Sequence, residues 1–159
     1  MLDIFKKKTE YLAAPFSGKV IKLQDLSDET FAKKILGDGI AVEPEDKVLK
    51  SPCAGEVVQV FTTGHALGIQ TDLGLEILIH IGINTIRLNG KGFSKKIKNG
   101  DKLEVGTPLI EIDLDYIKKN ADGIFTPIVI TNMDKVKNIK FLKSGWVESG
   151  EKLLEVEHY

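Results

Sequence analysis

Apolar and polar residues alternate over short stretches along most of this chain, and clusters of Gly, Pro, Asp, Asn and Ser punctuate them. Runs of that length and spacing predict the strands of an all-β fold. The clearest is Leu75-Glu76-Ile77-Leu78-Ile79-His80-Ile81. Side chains alternate faces along a strand, so Ile77, Ile79 and Ile81 point one way while Glu76, Leu78 and His80 point the other. The isoleucine side is the core side, which leaves His80 outside beside Leu78. The preceding run, His65-Ala66-Leu67-Gly68-Ile69-Gln70, reaches it through Thr71-Asp72-Leu73-Gly74, whose Asp and Gly suit a tight connection. An even-membered loop sets Leu67 opposite Leu78 and His65 opposite His80, with Cα atoms about 4.5–5.5 Å apart. The two imidazoles then meet on one face. An odd loop with a bulge at Gly74 shifts the register by one and sends them to opposite faces. A two-histidine site on this hairpin therefore requires the even loop.

The same pattern organises the rest of the chain. Lys19 to Leu23, Ile40 to Pro44 and Phe125 to Thr131 read as strands, and Trp146 falls in or beside the last hairpin. Two short helices interrupt them: Ser27 to Leu36, capped by Ser27 or Asp28 and ended by Gly37, and Asp113 to Ala121, capped by Asp113. Pro15-Phe16-Ser17-Gly18-Lys19-Val20 is echoed by Pro52-Cys53-Ala54-Gly55-Glu56-Val57, and Glu104 to Ile112 by Glu148 to Val156. These strands and weak repeats predict an all-β sandwich or barrel-like domain of two interlocked halves with short helices. Residues 1–10 read as a flexible leader and 11–159 as a single domain.

Composition narrows the classes. At 159 residues, with 42% hydrophobic and 28% charged residues, the chain suits one soluble globular domain. A formal net charge of −1 gives no electrostatic reason to expect nucleic acid. One cysteine, Cys53, rules out an intrachain disulfide framework and suits a reducing compartment; it is expected as a buried small hydrophobe. No apolar run approaches the roughly 20 residues of a membrane span, and the start lacks the order of a signal peptide. The expected setting is cytoplasmic and the expected state a monomer. His158, near the end, is expected solvated and idle, and the lysine clusters are read as solvated surface.

Three chemistries suit a facing pair of histidines. One ring can accept a phosphoryl group while the other hydrogen-bonds the phosphate, both can ligate a metal such as zinc, or they can form an acid–base pair. The metal reading is short of ligands, and a hydrolase reading lacks a Gly-x-Ser-x-Gly elbow. Phosphoryl acceptance asks least: a neutral imidazole, an N–H donor, a hydroxyl such as Thr63, and an apolar rim for a protein donor, to which Leu67 and Leu78 contribute.

At these residues the sequence resembles the glucose-type enzyme IIA of the bacterial phosphoenolpyruvate:sugar phosphotransferase system, from about Ala14 to Val156. The motifs that carry the resemblance are His65-Ala66, then His80-Ile81-Gly82-Ile83-Asn84-Thr85 and Leu88-Asn89-Gly90-Lys91-Gly92-Phe93, with Lys34 to Ala41 and Thr126 to Asp134. The resemblance implies an antiparallel β-sandwich and a relay in sugar uptake. In that relay His80 takes a phosphoryl group on Nε2 from the phosphocarrier protein HPr and passes it to a cysteine of a IIB domain of a sugar permease at the inner face of the membrane. It implies that His65 steadies the phosphate, that Thr63 orients His65, and that the Gly82 carbonyl accepts from Nδ1–H of His80. Asp28 matches one of two pocket carboxylates, and Phe31, Ile35, Phe61, Leu78 and Ile86 match the apolar rim. The only group it requires is the covalent phosphate on His80; regulatory protein partners are a further role.

One departure is informative. The second pocket carboxylate falls at Asn84, which keeps hydrogen-bonding capacity and loses a charge. Fewer like charges predict a phosphate held more favourably; alternatively Asp28 suffices and the change is silent. Three other classes share some of these features. A lipoyl- or biotinyl-type carrier is suggested by Asn132-Met133-Asp134-Lys135-Val136, but leaves His65 and His80 without a use. A zinc metallopeptidase of related architecture needs a His-x-His pair where this chain has His80-Ile81-Gly82. A regulatory or metal-bridged binding module remains the alternative, with zinc on His65 and His80 completed by a partner.

Overall fold

Thr126–Ile130 (β11) is buried at every position, although a strand ordinarily shows water one of its faces. The reason lies in what covers it. One face looks into the main core, and the other lies under a segment that crosses the sheet between Leu23 and Leu36. The structure, a computed structural model, describes residues 8–159.

Around β11 runs an eight-stranded, wholly antiparallel sheet. On one side lie Asp38–Pro44 (β3), Gly18–Lys22 (β2) and, at the edge, Gly145–Val147 (β13). On the other lie Glu76–His80 (β7), Ala66–Thr71 (β6), Gly55–Val60 (β5) and Lys102–Leu103 (β9). Two three-stranded antiparallel sheets complete the sandwich. In one, Lys152–His158 (β14) lies between Thr9–Ala13 (β1) and Val136–Phe141 (β12); in the other, Pro108–Ile112 (β10) lies between Val48–Lys50 (β4) and Phe93–Lys95 (β8). One cluster of buried side chains, including Leu12, Phe16, Leu49, Ile69, Ile77, Ile79, Leu109, Ile128 and Val156, joins all three. The two helices are short: Glu29–Ala32 (α1), capped by Asp28, and Leu114–Asn120 (α2), capped by Asp113.

The sequence echoes are structural. Ala13 N–H donates to the Pro52 carbonyl (2.8 Å) and Lys50 N–H to the Pro15 carbonyl (3.1 Å), so the repeated prolines cross-link the two halves. Gly150 N–H bonds Ala14 O as Gly106 N–H bonds Ser51 O, each at 2.9 Å. Gly18 and Gly55 open their strands against a neighbouring backbone. A Cβ would lie 2.0 Å from Glu43 O at the first and 2.1 Å from Gln70 O at the second.

Three expectations change. Thr9 and Glu10, assigned to the leader, are strand residues paired with Glu157 and Val156; the rest of that leader up to residue 7 lies outside the described residues. His158 is not solvated. It is 6% exposed, and its Nε2 meets Glu10 Oε2 at 2.5 Å, because β14 runs beside β1 and closes water away from both side chains. The first predicted helix reaches only from Glu29 to Ala32, since Lys34 adopts a left-handed φ of 57° that ends the turn. Cys53 is buried as expected, and burial pushes its thiol up to about 12.

Candidate functional site

The β6–β7 register is the odd one. Ala66 pairs with His80, Leu67 with Ile79 and Gly68 with Leu78, and the connection is Asp72-Leu73-Gly74, with Gly74 at φ 96°. Leu67 is thereby turned into the core, fully buried, and is not part of any rim around the histidines. The inference that an odd loop separates the rings is also overturned. The centroids of His65 and His80 lie 5.1 Å apart at an interplanar angle of 78°.

Strict alternation ends at Ala66, which is why they meet. His65 belongs to the tight turn that joins β5 to β6, closed by Gly64 N–H to Phe61 O (2.8 Å) and Phe61 N–H to Ala66 O (3.0 Å). Gly64 takes a φ of 75° there, a conformation that glycine adopts without strain. The turn re-aims the imidazole, while the backbone stays on the sheet through Ile81 N–H to His65 O at 2.7 Å. Phe61 packs on the His65 ring at 5.4 Å and Phe93 at 6.5 Å. With 2% exposure, His65 is desolvated, and burial and then the neighbouring His80 lower its pKa to about 4. The ring is therefore neutral near pH 7. The Thr63 hydroxyl hydrogen-bonds its Nδ1.

His80 ends β7 on the outer face, half-buried. Its Nδ1 lies 2.8 Å from the Gly82 carbonyl oxygen, which can only accept, so Nδ1 carries the proton and Nε2 is the nitrogen with the free lone pair. Burial lowers its pKa, opposed by the bond to Gly82 and then by the charge of Asp28. Gly82 aims its carbonyl from φ 75°, and a Cβ there would lie 2.6 Å from Thr85 Cγ2 and 2.8 Å from Gly123 O.

A second, smaller core places the remaining residues. Leu23, Leu26, Phe31, Ala41 and Val129, with Ile21 and Phe125 against them, pack on the outer face of β2, β3 and β11. This burial fixes the crossing segment, and with it Asp28 and Phe31. Phe31 is only 5% exposed and its ring lies 5.5 Å from that of His80, so it walls the His80 ring and offers little surface to a partner. Asp28 is held as N-cap by accepting from Thr30 N–H at 2.9 Å. Of the residues expected in the apolar rim, Ile35 (68%) and Ile86 (59%) are exposed, and so is Phe61 (39%), which packs on His65. An apolar groove of about 280 Å³, lined by Val58, Phe61, Gly68 and Leu78 among others, adjoins this rim.

Asn84 stands at the N-terminus of a 3-10 turn, Thr85–Leu88, with φ 55°. Its amide donates to the Asp122 carboxylate, whose other oxygen accepts from Arg87 Nη2 at 2.5 Å. The Asn84 hydrogen bond and, after it, the Arg87 charge hold the Asp122 carboxyl below the usual range. Asp122, Arg87 and the Phe93 ring beside His65 were not singled out from the sequence as site residues. Phe93 closes a matched motif, but nothing in the spacing of Arg87 and Asp122 brings them together.

With both Nδ1 atoms engaged, one Nε2 remains on each ring. Among the described residues no group of three or more His, Cys, Asp and Glu is placed to hold a metal ion. Two imidazoles are half of a tetrahedral zinc set.

Known proteins resemble this chain in sequence and in fold. Residues 10–136 match the family model described as phosphoenolpyruvate-dependent sugar phosphotransferase system, EIIA 1. The chain is 42% identical over 142 residues to the PTS system glucose-specific EIIA component of Halalkalibacterium halodurans, covering 89% of this chain and 82% of that one. It is 41% identical to part of the PTS system N-acetylglucosamine-specific EIICBA component of Klebsiella pneumoniae, where 91% of this chain matches 22% of the longer protein. Among solved structures, glucose permease IIA from Mycoplasma capricolum superposes with a TM-score of 0.89 at 36% identity, covering 95% of this chain and 97% of that one.

Proposed function

The chain belongs to the EIIA 1 family of the phosphoenolpyruvate-dependent sugar phosphotransferase system, and on that footing we propose that His80 is the phosphoryl acceptor of its relay. The family is one of phosphotransferase components, and the chain's general role is sugar phosphotransfer. No helix among the described residues is long and apolar enough to cross a membrane. The specific route is from phospho-HPr to His80, and from His80 to the cysteine of a IIB domain. The chain-sharing name of the fused EIICBA relative supports a B-type partner.

The observation that carries the assignment is the Nδ1–H bond of His80 to Gly82 O, which leaves Nε2 as the nucleophile. The Nε2 lone pair attacks phosphorus, the bond from phosphorus to the donor ring nitrogen breaks, and that electron pair stays with the donor. The His80 ring gains positive charge as the new P–N bond forms, and the Gly82 carbonyl stabilises it through Nδ1–H. His65, with Nδ1 accepting from the Thr63 hydroxyl, carries its proton on Nε2 and donates it to a phosphate oxygen. Transfer to the IIB cysteine reverses the first step: a thiolate attacks phosphorus and the electron pair returns to His80 Nε2. Partner proteins dock on the exposed apolar rim of Ile35, Phe61 and Ile86.

A dianionic phosphate at the centre of that rim changes its charge and hydration, so the same face is suited to partners that distinguish the two states. A zinc ion on His65 and His80, completed by ligands from such a partner, is the second reading; it requires the His65 proton to move from Nε2 to Nδ1, with the Thr63 hydroxyl then accepting.

The test is a reconstituted mixture of phosphoenolpyruvate, enzyme I, HPr and this protein, read by intact mass and acid lability. An acid-labile gain of one phosphate, lost in His80→Ala and still formed in His65→Ala, is expected. No phosphate on the wild type with a functional HPr overturns the relay reading.

A further inference from the structure

The geometry points to Asp122 as a positioning residue for His80, acting through the loop Gly82-Ile83-Asn84. That loop sets a left-handed non-glycine residue, Asn84 (φ 55°), two positions after Gly82 (φ 75°), and it is the conformation of Asn84 that its surroundings must hold. The Gly82 carbonyl it presents is the group that fixes the His80 proton on Nδ1.

What holds the loop is the segment around Asp122. Ile83 N–H donates to Gly123 O (2.9 Å) and Asp122 N–H to Ile83 O (3.2 Å), an isolated bridge between the loop and that segment. The Asp122 side chain closes the clamp from outside. One oxygen accepts from the Asn84 amide and the other from the Arg87 guanidinium, which also reaches Asn120 O at 3.4 Å. Asn84 caps the 3-10 turn and Arg87 lies within it, so Asp122 ties both to the chain that carries the bridge. An exposed ion pair by itself adds little to stability. Here it shares its carboxylate with a residue in left-handed backbone two positions from the reactive ring's partner carbonyl.

This gives Asn84 a reason. An amide can donate to Asp122, whereas a carboxylate at the same place would face it with like charge. Asn84→Asp is therefore a break in the clamp and not a neutral restoration of a pocket acid. The pair has a polarity that can be exchanged. In the double variant Asn84→Asp, Asp122→Asn, the new amide donates to Asp at 84 while its oxygen still accepts from Arg87.

The kinetic arm of the test rests on the relay reading; the spectroscopic arm does not. Ring 15N shifts of His80 in the unphosphorylated protein report which nitrogen holds the proton. The wild type is expected to show one Nδ1–H tautomer, and Asn84→Asp and Asp122→Ala a mixture with Nε2–H, with the melting temperature little changed. In phosphoryl acceptance from phospho-HPr, both single variants should lower kcat about tenfold with KM nearly unchanged, as expected when a reacting group is misplaced. The exchanged double variant should recover the tautomer and the rate. Asp122→Ala with wild-type ring shifts overturns the proposal, as does a folded double variant that recovers neither. If the wild type accepts no phosphate, the relay reading fails and the ring shifts still decide this one.

Discussion

His65 and His80 stand edge to face with ring centroids 5.1 Å apart, yet they are not partners in the sheet: the residue paired with His80 is Ala66. The contact is made by a turn that leaves the strand, not by strand register. Its two rings are held in complementary ways, one by a hydroxyl on Nδ1 and the other by a carbonyl on Nδ1. That relationship makes several outcomes measurable.

Gly82→Ala should be damaging out of proportion to its size. The added Cβ meets Thr85 Cγ2 at 2.6 Å and Gly123 O at 2.8 Å, on backbone at φ 75°. The expected loss is about 1–3 kcal/mol in denaturant unfolding, together with loss of the Nδ1–H tautomer of His80. Unchanged stability and ring shifts would contradict the role given to the Gly82 carbonyl.

Thr63→Val keeps the shape of the side chain and removes the hydroxyl beside His65 Nδ1. If His65 acts as a donor to phosphate, kcat for phosphoryl acceptance should fall about tenfold, the scale of a lost orienting contact, and Thr63→Ser should restore most of it. An equal loss in both variants would show that the hydroxyl by itself does not carry the effect.

Acid should weaken the fold through His65. Its pKa is lowered from 6.5 to about 4 by burial, so between those values the unfolded chain binds more protons than the folded one. The stabilising contribution is complete above about pH 6.5 and is lost as pH falls towards 4. Urea unfolding at pH 7 and pH 4.5 should show a smaller drop for His65→Gln than for the wild type. Equal drops would place the acid sensitivity elsewhere.

His158→Ala should separate stability from function. The His158–Glu10 pair ties β14 to β1 from a buried position, and removing the imidazole leaves a carboxylate without that partner. A cost of about 1–3 kcal/mol is expected, with phosphoryl acceptance by His80 at the wild-type rate. Melting temperature and initial rate, measured on the same sample, check both halves.

The sequence by itself determined the faces of β7 and the positions of the turns, and it left the histidine pair open to phosphoryl acceptance, metal ligation or acid–base work. Alternation put Ile77 and Ile79 inside and His80 outside, because a strand has no other way to arrange successive side chains. The paired prolines and glycines marked the two halves, because a glycine without a Cβ is what lets Gly18 and Gly55 lie against a neighbouring carbonyl. The contact between His80 and Gly82 O was implied by the family resemblance, and it spans only two residues.

Only the tertiary structure decided the rest. The register of the β6–β7 hairpin depended on one residue of loop length, which composition does not resolve, and it moved Leu67 from the rim to the core. His65 reached His80 through a turn whose geometry depends on Gly64, Phe61 and Phe93 together. His158 found Glu10 because the two ends of the chain lie in neighbouring strands. Asp122 met Asn84 across a distance in sequence that no periodicity spans. Local rules set which way a side chain faces; long-range packing sets what it then meets, since that depends on how the whole core closes.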